Sequence, residues 1–159
     1  MPEEEIIYFG YLHWFIFVPG LTKFLVGISV LVSIGLIWTD TVQEIDYLYG
    51  VGFVVGLLLI LVALISLVGA LIRKTSTELA VTTKRVITKV GFIRRETVEL
   101  NHNKVESFAV KQSLFGRLFN FGTIAIIGTG GGTNTIRDID SPLEFRRQAV
   151  KIIDAVSHD

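Results

Sequence analysis

The sequence predicts an α+β chain: two N-terminal transmembrane helices, then a small β-barrel or sandwich closed by a C-terminal capping helix. Three observations carry this. The run Leu48 to Ile72 is 25 residues without a charge and is followed at once by Arg73 and Lys74; a second apolar stretch, Trp14 to Trp38, precedes it; and from Thr75 onward short β-branched runs alternate with turns. The expected organisation is residues 1–75 as an N-terminal segment and helical hairpin, with spans at about 19–38 and 48–72, and residues 76–159 as one cytoplasmic domain.

The chain begins Met1-Pro2-Glu3-Glu4-Glu5, acidic where a secretory signal is basic, so the first apolar stretch is read as a retained span. Pro19 suits a first helical turn and sets its start, and Leu12 to Val18 suits a short interfacial helix ahead of it. Lys23 then falls about one turn inside, where its stem can bend the ammonium back to the headgroups. The connection Thr39 to Tyr47 holds Asp40, Glu44 and Asp46 and no Lys or Arg, whereas Lys23, Arg73 and Lys74 flank the opposite ends. By the positive-inside rule both termini are cytoplasmic, in a multi-pass protein of the inner membrane, with Trp38, Tyr47 and Tyr49 in an outer aromatic belt and Trp14 in the inner one.

At about 1.5 Å per residue the second span is about 37 Å long, enough to cross a ~30 Å hydrocarbon layer with some tilt. Gly52-Phe53-Val54-Val55-Gly56 is a GxxxG motif, and Gly27, Ser29, Ser33 and Gly35 put small residues along the first span. Close helix packing follows, within one chain or between copies. Charge divides the same way: residues 1–72 hold one Lys or Arg against six Asp or Glu, and residues 73–159 hold fourteen against nine. With no cysteine, disulfides and thiolate metal sites are excluded.

Six strands are expected, at Glu78–Thr82, Arg85–Val90, Arg94–Leu100, Lys104–Lys111, Gly122–Gly128 and Thr133–Ile139. Val98 and Leu100 face inward, and Val105 is out of phase with Phe108 and Val110, which calls for a bulge near Glu106 and Ser107. Ser113 to Phe119 reads as a helical turn or two whose aromatics plug one barrel end. Ser141-Pro142-Leu143-Glu144 is a capping box opening a helix that turns Phe145, Ala149, Ile152, Ile153 and Val156 to the sheet.

Several phrases resemble the membrane-flanked bacterial pleckstrin-homology (PH) domain family. They are Leu79-Ala80-Val81-Thr82-Thr83-Lys84-Arg85-Val86-Ile87, Gly91-Phe92-Ile93-Arg94-Arg95, Lys104-Val105-Glu106-Ser107, Gln112-Ser113-Leu114-Phe115-Gly116-Arg117-Leu118 and Ile136-Arg137-Asp138-Ile139, preceded upstream by His13-Trp14 and two spans. The resemblance implies a PH-like barrel of two steeply crossed antiparallel sheets with a helix closing one end, and no enzymatic activity. Eukaryotic PH domains often bind phosphoinositide headgroups with basic residues near the first hairpins, but the spacing here is not a clear match to that pattern.

Candidate sites are few. Lys84 and Arg85 at the first hairpin, and Lys89, Arg94 and Arg95 around the tip Phe92-Ile93, form a basic rim with an apolar tip that suits lipid headgroups. At about 1 kcal/mol per cation the cluster adds little to the anchorage of two spans, so its expected task is orientation rather than recruitment. The alternative is a solvated charge pattern. Gly128 to Thr133 lacks the Gly-Lys-Ser/Thr ending of a phosphate loop and reads as a hairpin loop, and His13, His102 and His158 are isolated. No catalytic constellation, metal site or cofactor is expected, and nucleic acid is not an expected partner. The expected role is a cytoplasmic-facing scaffold or protein-interaction module, with membrane lipids and like or related membrane proteins as partners. The alternative is a sensor of anionic headgroups.

Overall fold

The computed structural model describes residues 4–38, 46–93 and 95–157. Its elements run β1 (Ile6–Gly10), α1 (Val18–Trp38), α2 (Asp46–Thr75), β2 (Glu78–Thr82), β3 (Arg85–Val90), β4 (Glu96–Asn101), β5 (Val105–Lys111), α3 (Leu114–Leu118), β6 (Phe121–Gly128), β7 (Thr133–Asp140) and α4 (Pro142–Ser157), with 3₁₀ turns at Trp14–Phe17 and His102–Lys104. They form two compact units: Ile16–Ile72, and Met1–Phe15 together with Arg73–Asp159.

The first unit is a pair of helices long and apolar enough to cross a membrane by length and composition, over Trp14–Leu36 and Tyr47–Thr75. They run antiparallel: a Cβ placed on Gly20 would meet Leu67, one on Gly27 would meet Ile60, one on Gly56 Leu31, and one on Gly52 Ile34. The Lys23 ammonium donates across the pair to the Ser66 hydroxyl at 3.1 Å, and that hydroxyl donates to the Val62 carbonyl at 2.8 Å. Asp40 and Glu44 lie outside the described residues, as does any account of the Trp38 side chain.

The second unit holds two sheets, ordered β1-β2-β3-β4 and β5-β6-β7. The six expected strands are present, and a seventh, β1, was missed. Residues 4–15, grouped by the sequence reading with the helical hairpin, belong here. Ile6, Tyr8, Phe9 and Gly10 pair with Thr82, Val81, Ala80 and Leu79, supplying the edge that β2 would otherwise lack. Beyond β1 the chain crosses to the other sheet: the Asp140 N–H donates to the Tyr11 carbonyl at 2.8 Å, Leu12 bridges Ile139, and the His13 N–H donates to the Asp138 carbonyl at 2.7 Å.

This crossing joins the two sheets on one side, but the other side stays open, and the expected barrel does not close. Between β4 and β5 the chain turns through His102–Lys104. The register then slips between Val105 and Ser107, the expected bulge, which bends β5. Val98 and Leu100, half-buried rather than inward, line a groove of about 440 Å³ against Gly128 to Asn134.

The core comprises Leu12, Leu79, Val81, Val86, Phe108, Ile124, Ile126, Ile136, Ile139, Phe145 and Ala149, all buried. From α4, Phe145 seats over Gly10, where a Cβ would lie 3.0 Å from its ring, and meets Tyr8 at 5.7 Å between centroids. Ile152 and Ile153 are half-buried. The capping box is not the arrangement found. The Ser141 hydroxyl takes Asn120 and Asp140 as partners, while the Glu144 carboxylate accepts from Gln148 and pairs with Arg147.

Candidate functional site

Register decides which candidate residues can act together. Arg85 pairs with Asn101 at one end of the β3–β4 ladder and Val90 with Glu96 at the other. Six residues of strand therefore put Lys84 and Arg85 roughly 20 Å from the Gly91-Phe92-Ile93 turn. The structure does not bring the expected basic rim together.

At the β2–β3 end Arg85 is committed to the fold. Its guanidinium pairs with Glu4 at 2.9 Å and Glu99 at 2.6 Å. The hydrogen bond to Glu99, then the field of Glu4, raise its pKa above the usual arginine value. The buried Thr82 hydroxyl closes the same turn, accepting the Arg85 N–H at 3.0 Å and lying 2.7 Å from the Glu4 carboxylate. Nearby, Thr83, Lys84, Asn101, His102, Asn103 and Ile153 line a hollow of about 650 Å³. His102 is 7% exposed, and its buried ring nitrogens lack hydrogen bonds of good geometry. Burial lowers its pKa below the ordinary histidine value, opposed more weakly by the backbone of Arg85 and Thr82. His102 forms part of the wall of this hollow.

At the β3–β4 end Lys89 pairs with Glu78 at 3.1 Å, while Phe92 is 61% and Ile93 96% exposed. Gly91 has φ +102°, a conformation that favours glycine and lets the turn project its apolar tip. Arg95 and Phe92 line a depression shared with Thr75 and Ser76, so this turn stands where the chain re-enters the sheet unit. Arg94 lies outside the described residues.

The outgoing connection is built around aromatic rings that sequence reasoning left unassembled. His13 is buried, stacks on Phe121 at 5.4 Å, and accepts the Phe15 N–H on Nδ1 at 3.1 Å; Phe15 stacks on Phe121 at 4.3 Å. Phe119 reaches Trp14 at 6.3 Å and Phe15 at 5.5 Å. The returning connection is held by Arg73, whose guanidinium pairs with Asp138 at 2.9 Å and donates to the Arg137 carbonyl at 3.4 Å. Asp138 thus takes one connection through its carbonyl and the other through its carboxylate. It does so at φ +62°, in the stretch where the β6–β7 register slips between Gly122 and Ile124.

The expectation that the aromatics of Ser113 to Phe119 plug a barrel end fails. In α3 Leu114 is 84%, Phe115 64% and Leu118 75% exposed, and Gly116 is the buried residue. Gly116 fits against β6 so closely that a Cβ would lie 2.6 Å from the Phe121 carbonyl oxygen. With the backbone touching β6, the larger side chains turn outward. Ser113 caps the helix by accepting the Gly116 N–H at 3.1 Å, and the Gln112 amide donates to the Gly116 and Phe121 carbonyls at 3.2 and 3.1 Å.

Among the small residues of the apolar helices, Gly27, Gly52 and Gly56 face the partner helix, whereas Gly35 faces open space. Gly128 to Thr133 is a tight hairpin, with the Gly131 N–H on the Gly128 carbonyl and the Gly128 N–H on that of Gly132, both at 2.9 Å. Among the described residues no group of three or more His, Asp or Glu could hold a metal ion, and His158 is not among them.

A family model described as bacterial PH domain matches residues 12–151, a stretch that takes in both apolar helices and excludes β1. No curated protein and no solved structure matches the chain. By its sheets, its terminal helix and this match over most of its length, the chain belongs to the bacterial PH domain family.

Proposed function

We propose that the chain is an integral protein of the inner membrane, crossing it twice with both termini in the cytoplasm, and that its PH-like unit is a non-enzymatic scaffold at the cytoplasmic surface. The supporting observation is Asp138, which ties both connections to the apolar helices to one strand of the sheet unit. The clasp gathers both chain ends leading to the helices on that strand. The β2–β3 end of the same unit, with Lys84, Asn101 and Asn103 around the His102 hollow, is the surface offered to a protein, either a like chain or a related membrane protein.

The experiment uses single cysteines at Thr41 and Gly130 in intact cells. A membrane-impermeant maleimide labels Thr41→Cys from outside and Gly130→Cys only after lysis, and carbonate leaves the protein in the membrane. Labelling of Gly130→Cys in intact cells, or release by carbonate, overturns the reading. The scaffold role is tested by cross-linking at Asn103→Cys in native membranes. A discrete adduct is expected, and loss of all adducts with the topology intact refutes it.

A second reading, sensing of anionic headgroups, draws on Lys89, Arg95, Phe92 and Ile93, which share the end where the chain re-enters. It predicts that amide exchange across residues 89–96 slows when anionic lipid is added to nanodiscs of the full chain. No response to lipid charge removes it. The full chain is required, because a fragment starting at residue 76 lacks β1 and bares the edge of β2.

A further inference from the structure

Resting on the membrane reading above, we propose that α3 is a bilayer-docking foot whose Leu114, Phe115 and Leu118 enter the headgroup region of the same membrane. These three side chains contribute nothing to the core, yet they stand on a rigid base. The Ser113 cap, the two Gln112 bonds and the fit of Gly116 against β6 fix the short helix from beneath. A contiguous apolar surface held out this firmly marks a contact.

Its place in the fold selects the occupant. Phe119, at the end of α3, touches Trp14 and Phe15, the last residues before the chain passes into its first apolar helix. The Phe92-Ile93 turn, from the other sheet, borders Thr75 and Ser76, where the chain returns from its second. Two apolar tips from different sheets therefore flank the two points of connection. Arg117 lies between Phe115 and Leu118, and Lys89 and Arg95 bracket the other tip, the cationic flank that an anionic leaflet favours. A protein partner gives no reason for both tips to accompany the connections. A lipid surface does.

The absence of native cysteine allows one label per molecule. Leu118→Cys, Ile93→Cys, Gly130→Cys and Leu58→Cys, each carrying an environment-sensitive fluorophore, are placed in phosphatidylglycerol-containing nanodiscs of the full chain with shallow or deep doxyl-labelled lipid. Shallow quenching at 118 and 93 is expected to be at least threefold that at 130, with deep quenching at 58. Equal quenching at 118 and 130, with 58 still quenched, overturns the foot and leaves the spanning helices standing. No quenching at 58 overturns both. Protection of 118 in native membranes but not in nanodiscs assigns α3 to a protein instead and likewise overturns the proposal.

Discussion

Replacing Gly116 with alanine tests whether α3 is a platform or a loose loop. The new methyl carbon would sit 2.6 Å from the Phe121 carbonyl oxygen, well inside van der Waals contact. The atom it meets cannot swing away: Phe121 is paired with Asp140 in the β6–β7 ladder, and its carbonyl already accepts from Gln112. Overpacking of this kind costs about 1–3 kcal/mol, and lifting α3 to relieve it would give up two Gln112 bonds at about 0.5–1.5 kcal/mol each. Against this, alanine gains up to about 1 kcal/mol over glycine in a helix. The net expectation is a loss of about 1–3 kcal/mol confined to α3 and the start of β6. Gly130→Ala, at a glycine with open space around it, should be near neutral. Hydrogen exchange reports such local opening directly. Amides from Leu114 to Thr123 should exchange about 5- to 160-fold faster in Gly116→Ala, with the β2–β3 amides unchanged. Wild-type protection across that stretch would refute the close fit.

Asp138→Asn should cost no more than about 1 kcal/mol, because it removes a part-exposed ion pair but keeps a residue that tolerates φ +62°, whereas Asp138→Ala should add about 1–2 kcal/mol of backbone strain. Exchange of the His13 amide distinguishes them, and equal losses would contradict the argument. Gly27→Ile should loosen the helical hairpin, since its side chain would meet the Gly56 carbonyl and the Ile60 backbone, while Gly35→Ile should not. Cross-linking of an Ile34→Cys/Gly52→Cys pair in each background should fall only with Gly27→Ile, and identical yields would count against intrachain packing. For His102 the lowered pKa sets the sign: the unfolded chain takes up a proton near pH 6.5 that the folded one resists, so its contribution is full above that pH and is lost as pH falls. Protection at the β2–β3 turn, taken relative to the intrinsic exchange rate at each pH, should fall between pH 7 and 5 in the wild type and less so in His102→Gln; matching profiles would exclude His102 as the cause.

What the sequence made legible follows from the range of the forces involved. The apolar helices, the strands from Glu78 to Ile139 and the terminal helix are local patterns of period and composition, and each appears where its residues place it. The Glu106 bulge was readable for the same reason, from a phase slip within one strand. Strand β1 was hidden: Ile6-Ile7-Tyr8-Phe9 is a fair β-forming run, but its partner follows two long helices and no turn announces the pairing. The aromatic cluster and the Asp138 clasp depend on residues far apart in the chain. In α3, the hydrophobic sequence suggested burial, and only the backbone contact at Gly116 reveals that the large side chains must face out.

The two units solve one topological problem from opposite sides. Pairing of β1 with β2 requires residues on either side of a long helical insertion to meet, and the entropic cost of that closure falls when the insertion brings its own ends together. Antiparallel contact does this within the helical unit, from Gly20 beside Leu67 at one end to Gly52 beside Ile34 at the other. Within the sheet unit, Asp138 holds His13 and Arg73 on a single residue. Within each unit the two chain ends are thus neighbours. The N-terminal strand can pair only once β2, which follows both helices, is available. Its further crossing to β7 at Leu12 joins the two sheets across their closed side, so completing the sheet unit depends on the helices having been laid down first. A chain built in this order ties completion of its PH-like unit to prior formation of the helical pair.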